Sequence, residues 1–195
     1  MSIAVATNDS PTNPAPKSDL RARIVDAAWA IGNEHTPEGL TIRSIATRAG
    51  VSPALLYTYF TGKAALLREM QRLAEPRLEA TLARAVDGAG TPQEGLFRVC
   101  VAYVEFARQH RWLYEPAAKE PAVQSQTNNL TQTFVARIVA LLDAGGSQSA
   151  SAEQTALQLR IAINGLVATE PASANDSRIG REFVASYIRM LLRGL

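Results

Sequence analysis

Apolar residues in this chain recur at intervals of three and four, and β-branched runs are few, so the sequence reads as helical almost throughout. Leu20, Ile24, Ala27, Ala28 and Ile31 form one stripe of a first helix, with Ser18 as its candidate N-cap and Pro37 and Gly39 closing it. Thr41 caps a short second helix that turns Ile42, Ile45, Ala46 and Ala49 inward, and Gly50 follows. Ser52-Pro53 opens a third helix, with Ser at the N-cap and Pro in the first turn, and Thr61-Gly62 breaks it. A longer helix starts near Lys63, with Leu66, Leu67, Met70 and Leu73 on one side; Pro76 is expected to kink or end it.

Beyond Gly88 and Gly90 the stretch Thr91-Pro92-Gln93-Glu94 has the form of a complete capping box, predicting a helix to about Arg108. Residues 111–121 read as irregular, with room for one short helix. A helix over 122–143 ends at Gly145-Gly146. Ser151 and Gln154 form a second capping box opening a helix to about Thr169, 171–176 is a loop, and a last helix runs from about Ser177 to Leu192. The expected fold class is therefore all-α: a three-helix helix-turn-helix unit over 18–70, a helical second domain over 71–195, and a disordered leader over 1–17. No internal repeat is visible.

Composition adds limits more than leads. The 195 residues, 47% hydrophobic, suffice for a full core, while a net charge of +2 says little about partners. The single cysteine, Cys100, sits in an apolar run and reads as a small buried hydrophobe; no intrachain disulfide can form. Residues 1–17 mix Ser, Thr, Asn, Pro and Ala, without the basic start and apolar centre of a signal peptide. No apolar run approaches the ~20 residues that cross a bilayer. A cytoplasmic location without membrane attachment is the expectation.

Charge distribution is more telling. From Gly39 to Arg68 there is no Asp or Glu, although the chain holds 18 acids, and the same stretch carries Arg43, Arg48, Lys63 and Arg68. Phosphates repel carboxylates and attract these cations, so the face suits a nucleic-acid backbone. Arg48 and Arg68 have the simpler reading of solvated surface, and the leader has scope to reach a groove, since Lys17, Arg21 and Arg23 follow it. The second and third helices are separated by a turn of about four residues around Gly50, the helix-turn-helix spacing. In that motif the second helix of the pair enters the major groove N-terminus first, and here it opens with Pro53, Ala54 and Leu55.

The stretch Leu40-Thr41-Ile42-Arg43-Ser44-Ile45-Ala46, then Ala49-Gly50-Val51-Ser52, Leu56-Tyr57-Thr58-Tyr59-Phe60 and Gly62-Lys63-Ala64-Ala65-Leu66-Leu67 resembles the DNA-binding signature of the TetR family. Several separate submotifs fall in register over about residues 18–70. One departure is His35-Thr36-Pro37, where many members have Gly at the end of the first helix. The resemblance implies a transcriptional regulator, most often a repressor, that leaves a near-palindromic double-stranded operator when a small-molecule effector binds. It implies Thr41 and Arg43 on the DNA backbone and Pro53, Ala54, Leu55 and Thr58 toward the groove. Tyr57 and Tyr59 would offer hydroxyls to phosphate and rings to sugar or methyl; half-buried packing is the other reading of each. Lys63 would hold a phosphate jointly with its helix N-terminus.

The segment Leu159 to Glu170 is similar to the penultimate helix of many members, with Asn164-Gly165 where a His-Gly pair is frequent. The resemblance implies a homodimer built from the last two helices of each copy. Ala156 and Gly165 would permit close approach there, and Phe183 and Tyr187 lie on a wide apolar arc of the last helix; burial of both faces within one chain is the competing reading. An effector pocket is implied among Tyr103, Phe106, Trp112, Tyr114 and Phe134, with Asn164 as an orienting group; plain core is the alternative for the aromatics. No cofactor is called for and no metal site is visible. His35 and His110 are the only histidines, and His110 reads as a cation at a helix C-terminus. No enzyme signature is present. The competing class is a helical small-molecule-binding or enzymatic protein whose basic N-terminal bundle is incidental.

Overall fold

In the computed structural model the backbone is described for residues 17–34, 39–114, 121–146, 149–169 and 178–193. Among these the chain is helical: α1 Lys17–Glu34, α2 Ile42–Ala49, α3 Pro53–Tyr59, α4 Lys63–Val86, α5 Pro92–Gln109, α6 Pro121–Ala144, α7 Ser149–Thr169 and α8 Arg178–Leu192, with a 3₁₀ turn at Arg111–Leu113. The leader, apart from Lys17, His35, Pro37 and the 171–176 loop all lie outside the described residues.

The first three helices cluster through the predicted stripes: Ile24, Ala28, Ile45, Ala46 and Leu56 are fully buried, and Phe60 closes the group. α4 then leads away, with Leu66, Leu67 and Met70 facing the N-terminal helices and Leu78 and Leu82 packed among α5 and α6. α7 packs on α6, and α8 on α5, through Leu159, Ile163, Val184 and Ile188. Buried residues from α1 through α8 form one contiguous cluster. Among the described residues no helix is long and apolar enough to cross a membrane.

Four local expectations need correction. α4 continues through Pro76 to Val86. Pro76 is exposed, so the carbonyl that loses its partner can reach water, and the buried stripe on both sides outweighs a cost of about 3 kcal/mol. Ser18 is already helical within α1 and Ser151 within α7, so neither is the residue that precedes its helix. At α5 Thr91 accepts from the Glu94 amide at 3.2 Å, but the Glu94 carboxylate reaches past the cap to the Gly90 amide at 2.9 Å. That bond, followed by the Arg98 guanidinium, holds the Glu94 carboxyl below its ordinary range. Cys100 is fully buried, and burial pushes its thiol up to about 12, in keeping with a packing role.

Candidate nucleic-acid interface

The turn between α2 and α3 is fixed by local chemistry. Thr41 is extended at the N-cap of α2; its hydroxyl accepts from the Ser44 amide at 3.1 Å while the Ser44 hydroxyl accepts from the Thr41 amide at 3.0 Å. Gly50 ends α2 with φ +67, a left-handed conformation that an L side chain resists, and the Val51 amide closes back on the Ala46 carbonyl at 2.9 Å. Arg23 of α1 adds a donor to the Ala49 carbonyl at 2.8 Å. Ser52 then caps α3, accepting from the Leu55 amide at 3.1 Å, and Pro53 occupies the first turn.

Only Leu56 of α3 is buried. Pro53, Ala54, Leu55, Tyr57 and Thr58 are exposed together, and Tyr57 is 55% accessible. The Thr58 hydroxyl donates to the Leu55 carbonyl at 2.7 Å, which orients its methyl and oxygen on that face. Tyr59 departs from Tyr57: it is half-buried and packs against the core. Thr41 and Arg43 are exposed on the rim of an open cleft of about 480 Å³ shared with Ser44 and Thr47. Lys63 is exposed at the start of α4, whose N-cap Gly62 supplies no side-chain cap, so the first amides of that helix are available to an anion.

The neighbouring charges are already paired. Arg48 forms a two-pronged contact with Glu34 at 2.5 and 2.6 Å, which ties the end of α2 to the end of α1. Arg21 pairs with Glu69 at 2.7 Å and lies over the Phe60 ring, and Arg72 also reaches Glu69. These two guanidinium bonds hold the Glu69 carboxyl near 2, so the carboxylate next to the basic window is neutralised by its own neighbours. Arg21 and Arg23 are therefore structural in this arrangement and not part of a free basic arm.

The implied pocket residues fall into two groups. Tyr103 stacks on Phe134 with centroids 4.0 Å apart, and its hydroxyl donates to Asn164 Oδ1 at 3.2 Å; Tyr114 lies beside this pair. Phe106 and Trp112 do not join them. Phe106 meets the His110 ring edge-on at 4.5 Å, and Trp112 packs T-shaped on Trp29 of α1 at 5.1 Å. His110 is not the expected cation: burial first, and the Arg77 charge second, lower it to about 4, so the ring is neutral at pH 7.

On the last two helices Phe183 is 56% exposed and stacks on Tyr187 at 6.3 Å; Gly165 is exposed, with nothing near the position of a Cβ. Ala156 does not share that surface, because its side chain is fully buried inside the protomer. Leu157, Ile161 and Met190 do lie exposed there, unanticipated from sequence; Leu157 and Ile161, one turn apart, fall outside the buried Ala152–Ala156–Ile163 stripe.

Two family models match the chain: "Bacterial regulatory proteins, tetR family" over residues 24–70 and "Tetracyclin repressor-like, C-terminal domain" over 96–191. The chain belongs to the TetR family. The N-terminal match contains every exposed position of α2 and α3 just described, and the C-terminal match spans most of α5 through α8. Among relatives of this TetR-family chain is the HTH-type transcriptional repressor KstR of Mycolicibacterium smegmatis, 31% identical over 96 residues, 49% of this chain and 47% of that protein. The HTH-type transcriptional regulator BetI of Rhizobium meliloti is 36% identical over 90 residues, 45% of this chain and 44% of its own length. The chain thus spans just under half the length of the curated relatives it matches. In fold it is similar to the transcriptional regulator FadR of Bacillus subtilis, solved with stearoyl-CoA, at TM-score 0.70 and 16% identity, covering 89% of this chain and 98% of FadR.

Proposed function

We propose that this TetR-family chain is a ligand-responsive, homodimeric transcriptional repressor acting in the cytoplasm. Residues 18–70 engage double-stranded DNA, and residues 71–195 take up a small-molecule effector and join the two copies. The observation that carries this reading is the α3 face. Pro53, Ala54, Leu55, Tyr57 and Thr58 are exposed on a helix anchored by Leu56, inside a 39–68 window free of carboxylates. α3 enters the major groove. Thr41, Arg43, Tyr57 and Lys63 grip phosphates on either side, and Tyr59 steadies the helix from its half-buried position.

One short helix reads only a few base pairs, so two copies about 34–36 Å apart supply the affinity and impose a near-palindromic operator. Effector binding in the α5–α7 half shifts the dimer toward a state whose helix spacing no longer fits the operator. It can do so only by its differential affinity for the two states. α4 carries that shift, since Leu66 and Met70 belong to one end and Leu78 and Leu82 to the other. FadR, bound to stearoyl-CoA, supports an effector site in this fold, and KstR, a named repressor, supports the direction of control. Selection of bound fragments from random DNA, followed by footprinting, tests the reading. Enrichment of a two-fold symmetric motif is expected; recovery of no motif at low salt overturns it.

A further inference from the structure

The α5–α7 core is rich in hydrogen-bond donors. Arg160 and Asn164 stand one turn apart on α7, on a shared face. Asn164 Oδ1 is occupied by the Tyr103 hydroxyl at 3.2 Å. Arg160 Nε is buried without a hydrogen-bond partner, the Tyr114 hydroxyl is buried against the Tyr103 hydroxyl, and among the described residues no carboxylate pairs with Arg160. The Arg160 charge is close enough to act on the Tyr103 hydroxyl, and burial keeps both tyrosines in the phenol form, able to donate.

Arg160 is half-buried; its guanidinium cannot relieve the burial of Nε by losing a proton, and a buried donor without an acceptor is costly. The excess is of one kind: Arg160 Nε lacks an acceptor, Tyr114 has the Tyr103 hydroxyl to donate to, and Tyr103 directs its own proton to Asn164 Oδ1. A carboxylate is acceptor-only, with two oxygens that suit the planar guanidinium and a phenol together. A neutral amide brings its own donors into this donor-rich site, and a cation is repelled by it. The stacked Tyr103 and Phe134 rings beside the group offer an apolar wall.

We propose that the effector is an organic carboxylate with an apolar body, its anionic end received by Arg160 and Tyr114 and its body lying along Tyr103 and Phe134. This rests on the reading of the chain as an effector-binding regulator. Asn164 is then a positioning residue that holds Tyr103 in place.

The test uses the full chain with hexanoate, decanoate and benzoate, each beside its primary amide, followed by calorimetric titration and thermal unfolding. At least one acid is expected to bind and raise the melting temperature, with its amide at least about tenfold weaker. Arg160→Gln is expected to lose that discrimination while melting no lower than wild type without ligand, because the charge it removes has no carboxylate partner among the described residues. Tyr114→Phe is expected to weaken the acid several-fold and to leave the amide unchanged. The proposal is overturned if no acid binds, if amides bind equally well, if Arg160→Gln still prefers the acid, or if that variant melts far below wild type. The same preparations are assayed on the selected DNA fragment. Intact DNA binding without acid binding removes only this inference; acid binding without sequence-specific DNA binding removes the regulator reading and leaves the carboxylate site standing.

Discussion

Trp112 donates its indole N–H to Asn33 Oδ1 across 3.0 Å, which fastens the 3₁₀ turn after α5 to the end of α1. His110 Nδ1 reaches the same oxygen at 2.9 Å, and Trp29 packs T-shaped against Trp112. A Cβ on Gly32 would lie 2.6 Å from the indole, so α1 presents its bare backbone to that ring. This joint and α4 connect the helices that would read DNA to those that would hold an effector.

Asn33→Ala leaves the buried Trp112 donor without its acceptor, at an expected cost of about 1–3 kcal/mol. Gly32→Ala forces the indole aside and breaks the same bond, at a cost of about 1–3 kcal/mol or more. Urea unfolding monitored by tryptophan fluorescence measures both. An unchanged midpoint for Asn33→Ala would mean that the indole N–H is satisfied by water and that the joint is weaker than its geometry suggests.

His110 gives the joint a pH dependence of definite sign. Its native value, lowered to about 4 by burial and then by Arg77, lies below the ordinary 6.5. Between these values the unfolded chain takes up a proton that the folded ring refuses, so stability is complete above about pH 6.5 and declines as pH falls toward 4. Glu69, held near 2, loses its contribution only as pH falls below about 4.5, so the interval from 6.5 to 4.5 isolates the histidine. Melting temperature should fall across that interval in wild type and less steeply in His110→Gln. Equal slopes would assign the loss to other groups.

The helix-turn-helix was legible because its signals are local. Thr41, Gly50 and Ser52-Pro53 each act within one turn of backbone, and the structure uses each as a cap. Elsewhere local reading falters: Ser151 suits a helix start, yet the backbone is already helical at Ser149. Pro76 does not end α4, because its penalty is local while Leu78 and Leu82 gain their burial from α5 and α6. Trp112 was recognisable as an aromatic to be buried, but its partners Trp29 and Asn33 come from α1, and no spacing in the sequence announces that contact. The same long-range gap turned His110 from a helix-end cation into a neutral, aromatic-lined group.

At the DNA face Lys63 and Tyr57 are expected to act differently. Lys63→Ala removes a cation, so it should lower affinity and flatten the salt dependence of binding by about one unit of slope. Tyr57→Phe removes only a hydroxyl from an exposed ring and displaces no counterion, so affinity should fall at every salt concentration with the slope kept. Neither side chain is buried, so thermal unfolding should not change. Titrations of the selected fragment at several salt concentrations decide this; unchanged affinity for both variants would remove them from the interface.

The exposed apolar surface on α7 and α8 supplies the final prediction. Ile161 is 64% exposed, Phe183 and Met190 are each 56% exposed, and the three crowd onto two helices whose inner faces are already filled by Ile163, Val184 and Ile188. Large apolar side chains left exposed outside a filled core mark an interaction surface, and a two-fold interface repeats each contact twice. Gly165, open on the same helices, lets a partner helix approach closely, and Gly165→Arg would fill that space. Phe183→Glu and Ile161→Glu each place a charge where the partner is expected, and neither touches the buried core, so the protomer should stay folded. All three variants should become monomers and lose at least about tenfold in operator affinity, about 1.4 kcal/mol, although α2 and α3 are untouched. Ala156→Gly is the internal control: Ala156 is fully buried, so it should lower stability without changing the oligomeric state. Light scattering beside binding titrations separates the cases. A wild type that is monomeric at micromolar concentration yet binds a palindromic fragment tightly would exclude this surface as the dimer interface.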